Sequence, residues 1–109
     1  ATAAEVGARH RVRIEVETVQ WQPATAAPVV SPVVTALRAA VARIYGVEAR
    51  PVGIGGGTVA ALLRERGLPA VVWSCIANTC HQPNERSSIT ATLKDAQVFA
   101  HILMNAAHV

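Results

Sequence analysis

The sequence predicts an α/β fold of mostly parallel strands with flanking helices, preceded by one strand that belongs to a different body. Three observations carry this. From Ser31 onward, stretches of helical and strand period alternate in the order helix, strand, helix, strand, helix, the grammar of a layered α/β domain. Cap and stop residues fall between them. The run Ala70 to Cys75 is rich in valine, the composition of a strand covered on both faces.

Taken in order, Ala1 to Ala8 has no basic flank followed by an apolar core and does not read as a signal peptide. Arg11 to Val19 alternates, with Val12, Ile14, Val16 and Thr18 on one side, and predicts a half-buried strand. Gln22 to Pro32 contains three prolines and reads as a linker between two bodies. Ser31 followed by Pro32 starts a helix that carries Val33, Val34, Leu37, Ala40, Val41 and Ile44 on its apolar face until Gly46 stops it. Val52 to Ile54 is a short strand entering Gly55, Gly56 and Gly57. Thr58 then caps a helix through Arg66, which Gly67 ends. Pro69 opens the valine-rich strand, Ile76 to Ser87 is a polar loop, and Ser88 precedes a long closing helix with Ile89, Leu93, Ala96, Val98, Ala100, Ile102 and Leu103 on its apolar face. The boundaries expected are 1–22 for the strand-bearing body, 23–32 for the linker and 33–109 for the layered domain.

With 109 residues the chain forms one domain at most, and at 51% hydrophobic it leans on a partner to cover its apolar surface. The net charge of +3 comes from scattered arginines, and two tryptophans, one tyrosine and one phenylalanine form no aromatic stripe, which argues against nucleic acid. Pro28, Pro32, Arg38 and Arg43 interrupt the longest apolar run, so no membrane span is expected. Cytoplasmic location is the default. Cys75 and Cys80, with four residues between them, are too few for a disulfide scaffold and wrongly spaced for a zinc ribbon; a local disulfide or two reduced thiols both fit.

Ligands of α/β sheets bind beyond the carboxyl ends of the strands, and two loops leave such ends: Gly55 to Thr58 and Ile76 to Ser87. The first offers free backbone N–H groups to an anion at a helix start, or is simply a tight turn with a threonine cap. The second carries Cys80-His81-Gln82-Pro83-Asn84-Glu85. Neutral imidazole is the commonest protein ligand for zinc, although a lone loop histidine is usually just solvated. Cys80 is a further possible ligand or a small filler. His10, His101 and His108 read as structural or exposed, Trp73 as core and Trp21 as a packing anchor.

The ordered set of a glycine-glycine-threonine turn, Gly67-Leu68-Pro69-Ala70-Val71-Val72, His81-Gln82-Pro83-Asn84-Glu85 and a closing helix resembles the C-terminal third of the zinc metallopeptidase and deacylase family of acetylornithine deacetylase, succinyl-diaminopimelate desuccinylase, aminoacylase and carboxypeptidase G. The likeness covers almost the whole chain. It implies a zinc-peptidase-like three-layer sandwich, with the strand at Arg11 to Val19 as the last of a lid or dimerisation domain. It implies amide hydrolysis by a water bridging two zinc ions, cobalt or manganese being alternatives, with an N-acyl amino acid or short peptide as substrate. His81 matches the family's last metal ligand, Asn84 and Glu85 would fix its loop, and Gly56, Gly57 and Thr58 match the turn that contacts the substrate carboxylate. Relatives often follow that turn with aspartate-alanine-arginine, where this chain has Val59, Ala60 and Ala61.

The family's other ligands and its base glutamate have no counterpart in these residues. The resemblance therefore implies a chain inactive by itself, completed by an N-terminal catalytic portion, and a homodimer formed through the lid strand. Two other classes compete with this hydrolase: a non-catalytic module gripping a carboxylate or nucleotide on the glycine loop, and an interaction domain docking through its first strand and apolar helices. Loss of metal on His81→Ala separates the first from the second. Assembly indifferent to chelators marks the third.

Overall fold

The computed structural model describes residues 2–106, so His108 lies outside the described residues. These form four helices: α1 (Ala3–His10), α2 (Pro32–Tyr45), α3 (Val59–Glu65) and α4 (Ile89–Asn105). Among the described residues there is no strand and no sheet, which overturns the expected α/β sandwich. The three helices from Ser31 onward do stand where their caps place them. Ser31 is the N-cap of α2 with Pro32 in the first turn, and Gly46 at φ 70° ends it in the left-handed conformation that glycine adopts without a Cβ penalty.

Helix α1 was not expected. Its start carries a reciprocal cap: the Glu5 N–H donates to Thr2 Oγ1 (3.3 Å) and the Thr2 N–H donates to Glu5 Oε2 (2.8 Å). Arg11 at φ 55° turns the chain back, and the Val12 N–H closes on the Gly7 carbonyl at 3.0 Å. Gly7 is buried beneath that return, where a Cβ would meet the Val12 carbonyl oxygen at 2.8 Å.

The three predicted strands fail for one reason. Alternation and valine content describe a side chain's fit to a sheet, but a strand exists only when a neighbour about 4.8 Å away completes its ladder. Residues 11–19, 52–54 and 70–75 do not pair with one another. Their apolar side chains stay in the open: Val16 is 74% exposed, Val52 80% and Val72 61%. Segment 70–76 is nevertheless held at both ends by side chains. Arg64 of α3 donates to the Ala70 carbonyl (2.8 Å) and to Thr25 Oγ1 (3.0 Å), while Asp95 of α4 takes the Cys75 N–H (2.8 Å).

The core lies where α2 meets α4, the only pair of helices in contact among the described residues. Ala40, Val41 and Val98 are fully buried, with Leu37, Ile44, Tyr45, Ala49, Trp73 and Ile102 packed around them. Burying each valine contributes roughly 1.5–3 kcal/mol. On α4 only Val98 and Ile102 of the expected apolar face join this core, and Ile89, Leu93 and Leu103 remain exposed.

The chain extends over 61 × 36 × 22 Å with a radius of gyration of 19.4 Å. A compact domain of this length has about 13 Å. Its accessible surface is 9051 Å², against about 5,800 Å² for a folded monomer of the same mass. Large apolar side chains stand on this surface, among them Val19, Trp21, Val30, Ile89 and Met104, each more than 80% exposed.

Candidate functional site

The most ordered polar arrangement lies between the core and the loop over residues 76–87. Asp95 projects from α4 and receives four donors. The Tyr45 hydroxyl (2.6 Å) and the Trp73 indole N–H (2.9 Å) reach Oδ1, and the Ser74 hydroxyl (3.3 Å) and the Cys75 backbone N–H (2.8 Å) reach Oδ2. Burial acts to raise the carboxyl's pKa, but the hydrogen bonds from Tyr45, Cys75, Trp73 and Ser74 outweigh it and hold Asp95 below the ordinary carboxylate range. Tyr45 shifts the other way. Desolvation first, then the hydrogen bond and the negative charge of Asp95, push its hydroxyl well above the usual tyrosine value. The Tyr45 ring also meets Trp73 edge-on at 5.7 Å and carries Lys94 Nζ 5.2 Å from its centre.

Beyond Cys75 the loop turns through two successive tight bends. Its backbone is tied by the Gln82 N–H to the Thr79 carbonyl and the Glu85 N–H to the Gln82 carbonyl, both 3.2 Å. Thr79 Oγ1 bridges the far side, donating to the Arg86 carbonyl and accepting the Arg86 N–H, each at 3.3 Å. Nearer the tip, the His81 N–H donates to Glu85 Oε2 at 3.2 Å. His81 (φ 59°) and Asn84 (φ 61°) both lie in the left-handed region. Asparagine and histidine enter it more readily than most side chains, and such residues concentrate at functional loops.

The structure thus brings His81 and Glu85 together and puts Asn84 in the same turn. All three are exposed. Glu85 engages the backbone of His81 and leaves its imidazole unconstrained by that bond. Cys80 and Cys75 are free thiols, also exposed. Ser88 accepts the Ala91 N–H (3.4 Å) and starts α4 directly after the loop.

The glycine turn is built differently. Thr58 is the N-cap of α3 but makes no side-chain capping bond. Nothing lies within 4 Å of where a Cβ would stand on Gly55, Gly56 or Gly57. Among the described residues no hydrogen bond joins this turn to the His81 loop.

Zinc is held by three or four protein ligands. Among the described residues no group of three histidines, cysteines, aspartates or glutamates stands close enough to hold a metal ion, so these residues do not make a complete metal site. His81, exposed on a tied loop, fits the part of one ligand. Sequence reasoning missed Asp95 and Arg64. Neither had a local signature, because their partners lie at Tyr45 and Trp73 to Cys75 for one and at Thr25 and Ala70 for the other. Among the described residues no helix is long and apolar enough to cross a membrane.

Comparison with known proteins adds a family. The model of Peptidase family M20/M25/M40 matches residues 3–105. The chain is 35% identical over 99 residues to an uncharacterized metallohydrolase of Methanococcus maripaludis, a match spanning 91% of this chain and 24% of that protein. It is 41% identical over 71 residues to an uncharacterized metallohydrolase of Methanocaldococcus jannaschii, spanning 65% of this chain and 17% of that protein. In each case the matched part is under a quarter of the relative's length. No solved structure matches.

Proposed function

The chain belongs to Peptidase family M20/M25/M40, and from that premise we propose that it is one part of a metal-dependent hydrolase in which His81 supplies a single ligand to the metal. The reaction proposed is hydrolysis of a C–N amide bond in an N-acyl amino acid or short peptide, of the deacetylase, desuccinylase or dipeptidase type. The metal is zinc, two ions in the complete enzyme, with cobalt or manganese as substitutes. When bound, such a pair polarises the scissile carbonyl and lowers the pKa of a bound water.

One observation carries this reading: His81 sits exposed at the tip of a loop whose backbone is tied at two levels, by Thr79 to Arg86 and by Glu85 to His81 itself. The backbone that carries the ligand is thereby placed before the ion arrives, while the imidazole keeps the freedom to turn toward it. Glu85 and Asn84 act here on the loop backbone, Glu85 as acceptor and Asn84 by its left-handed turn.

The remaining ligands and the general base are assigned to an N-terminal catalytic portion docked on residues 33–109. The large accessible surface supports this, since it is more than a lone domain of this mass exposes and it carries exposed large side chains such as Val16, Val52, Val72 and Leu103. Residues 1–22 are assigned to a lid or dimerisation body joined through the linker 23–32, and the complete enzyme to a cytoplasmic homodimer. Gly56, Gly57 and Thr58 are proposed to line the substrate pocket and to offer their backbone to its carboxylate. The bare space around Gly56 and Gly57 leaves room for such an approach.

Metal content tests the proposal. In the complete zinc-loaded protein, His81→Ala is expected to lower bound zinc and amide hydrolysis together, with affinity falling at least about a hundredfold. Zinc retained in full by His81→Ala, measured by elemental analysis after dialysis, overturns it.

A further inference from the structure

We propose that Asp95 is a positioning residue for the His81 loop: by taking the Cys75 N–H onto the helix that the loop itself runs into, it clasps the loop's two ends together. The inference deepens the reading of His81 as a metal ligand and draws its functional meaning from that reading, while the clasp rests on geometry alone.

The loop leaves segment 70–76 after Cys75 and returns at Ser88, the N-cap of α4. Asp95 lies on the same helix, six residues beyond Ile89, about 9 Å along the axis. Its Oδ2 is 2.8 Å from the Cys75 backbone nitrogen and 3.3 Å from Ser74 Oγ. Three closures are therefore nested. Asp95 holds Cys75 on the outside, Thr79 holds Arg86 within it, and Glu85 holds His81 at the tip.

The outer closure ties the leading end of the loop to the core, while the trailing end runs into α4, where Ser87 Oγ meets Thr92 Oγ1 at 3.2 Å. Asp95 Oδ1 is fixed by Tyr45 at 2.6 Å and Trp73 at 2.9 Å, and both of those side chains pack against Ala40, Val41 and Val98. The two inner closures bond the loop only to itself. With the outer one opened, they would keep the tip's shape but not its place relative to α2 and α4. Segment 70–76 has no ladder to hold it instead, because among the described residues it pairs with no strand. A carboxylate is suited to the task, since bonds from neutral donors to a charged acceptor are roughly twice as strong as neutral pairs.

Two variants test this in the full chain by amide hydrogen exchange. Asp95→Asn keeps the size of the side chain and removes its charge. Cys75→Pro deletes the one backbone donor, and Cys75→Ala, which keeps that donor and removes only the thiol beside Tyr45, is its control and is expected to leave exchange unchanged. Asp95→Asn and Cys75→Pro are expected to speed exchange across residues 76–87 about tenfold, with the α2 and α4 amides around Val41 and Val98 unchanged. Unchanged exchange across 76–87 in Cys75→Pro overturns the proposal, and so does equal loosening of loop and core in that variant. Should Asp95→Asn unfold the chain, Cys75→Pro decides alone.

A metal readout separates positioning from mere scaffolding. In the complete zinc-loaded protein Cys75→Pro is expected to weaken zinc affinity about tenfold at an unchanged melting temperature. Unchanged zinc affinity in that variant overturns the positioning role. His81→Asn distinguishes the two readings, because it removes zinc if His81 is a ligand and, since asparagine also accepts the left-handed φ of 59° found there, leaves the exchange pattern of residues 76–87 intact whether or not it is. Zinc retained in His81→Asn with a loop still loosened by Cys75→Pro would sink the ligand and spare the clasp.

Discussion

The loop over residues 76–87 and the turn over residues 55–58 follow segments of similar apolar character and each leads into a helix, yet they are held in opposite ways. The first is rich in side chains that bond backbone, and threonine, glutamate and aspartate close it at successive levels. The second has three glycines, which have no side chain to bond with, and its capping threonine makes no side-chain bond. Place is therefore given to a loop by side-chain acceptors that reach across it. Glycine gives freedom of approach and no place of its own.

Removing a closure should break this contrast most visibly. Thr79→Val keeps the shape of the side chain and deletes both bonds to Arg86, and is expected to lower the free energy of opening the loop by about 1–2 kcal/mol. Exchange at the Arg86 and Gln82 amides measures it, and a loop as protected as before would show that the hydroxyl is idle.

Acid should sharpen the contrast by a smaller amount. Because the carboxyl pKa of Asp95 is depressed in the fold, its stabilising contribution is complete above about pH 4 and is lost as pH falls through the lower folded value. The exposed surroundings of Asp95 screen the effect. The Trp73 indole N–H resonance is expected to shift in that window, with Trp21, 82% exposed, as the internal control. Tyr45 has the opposite sign: its raised pKa contributes fully below about pH 10 and fades as pH rises beyond it. Parallel shifts of both tryptophans in acid would show that Asp95 is not their cause.

The smallest effect belongs to the glycine turn. Gly56→Ala meets open space and no positive φ, so its stability change should stay within about 0.5 kcal/mol in thermal unfolding. A larger loss would mean that the turn is tied after all. Gly67→Ala is a useful reference, because φ is +77° there and a Cβ in the left-handed conformation costs about 1–2 kcal/mol.

What the residues disclosed in advance follows the range of each force. Helices α2, α3 and α4 were legible because start and stop signals lie within a few residues of each end: Pro32 and Gly46 bound α2, although Ser31 makes no capping bond there, and Ser88 caps α4 through the Ala91 N–H. The same rule, applied to Thr2 and Glu5, would have found α1. Strands were not legible, since Val12, Ile14 and Val16 carry the pattern of a strand without the partner that makes one. The position of His81 in a polar loop could be read from neighbours along the chain. Asp95 could not, because its four donors come from residues 45, 73, 74 and 75 and are gathered only by the packing of α2 on α4.

Helix α1, whose Gly7 lies under Val12 and Ile14, makes no contact with α2, α3 or α4 among the described residues. Heating should consequently release it without waiting for the rest, and a calorimetric trace of the lone polypeptide would spread into more than one endotherm. A single melting temperature would then describe an average of independent events, and comparisons between variants would need probes confined to one part of the molecule.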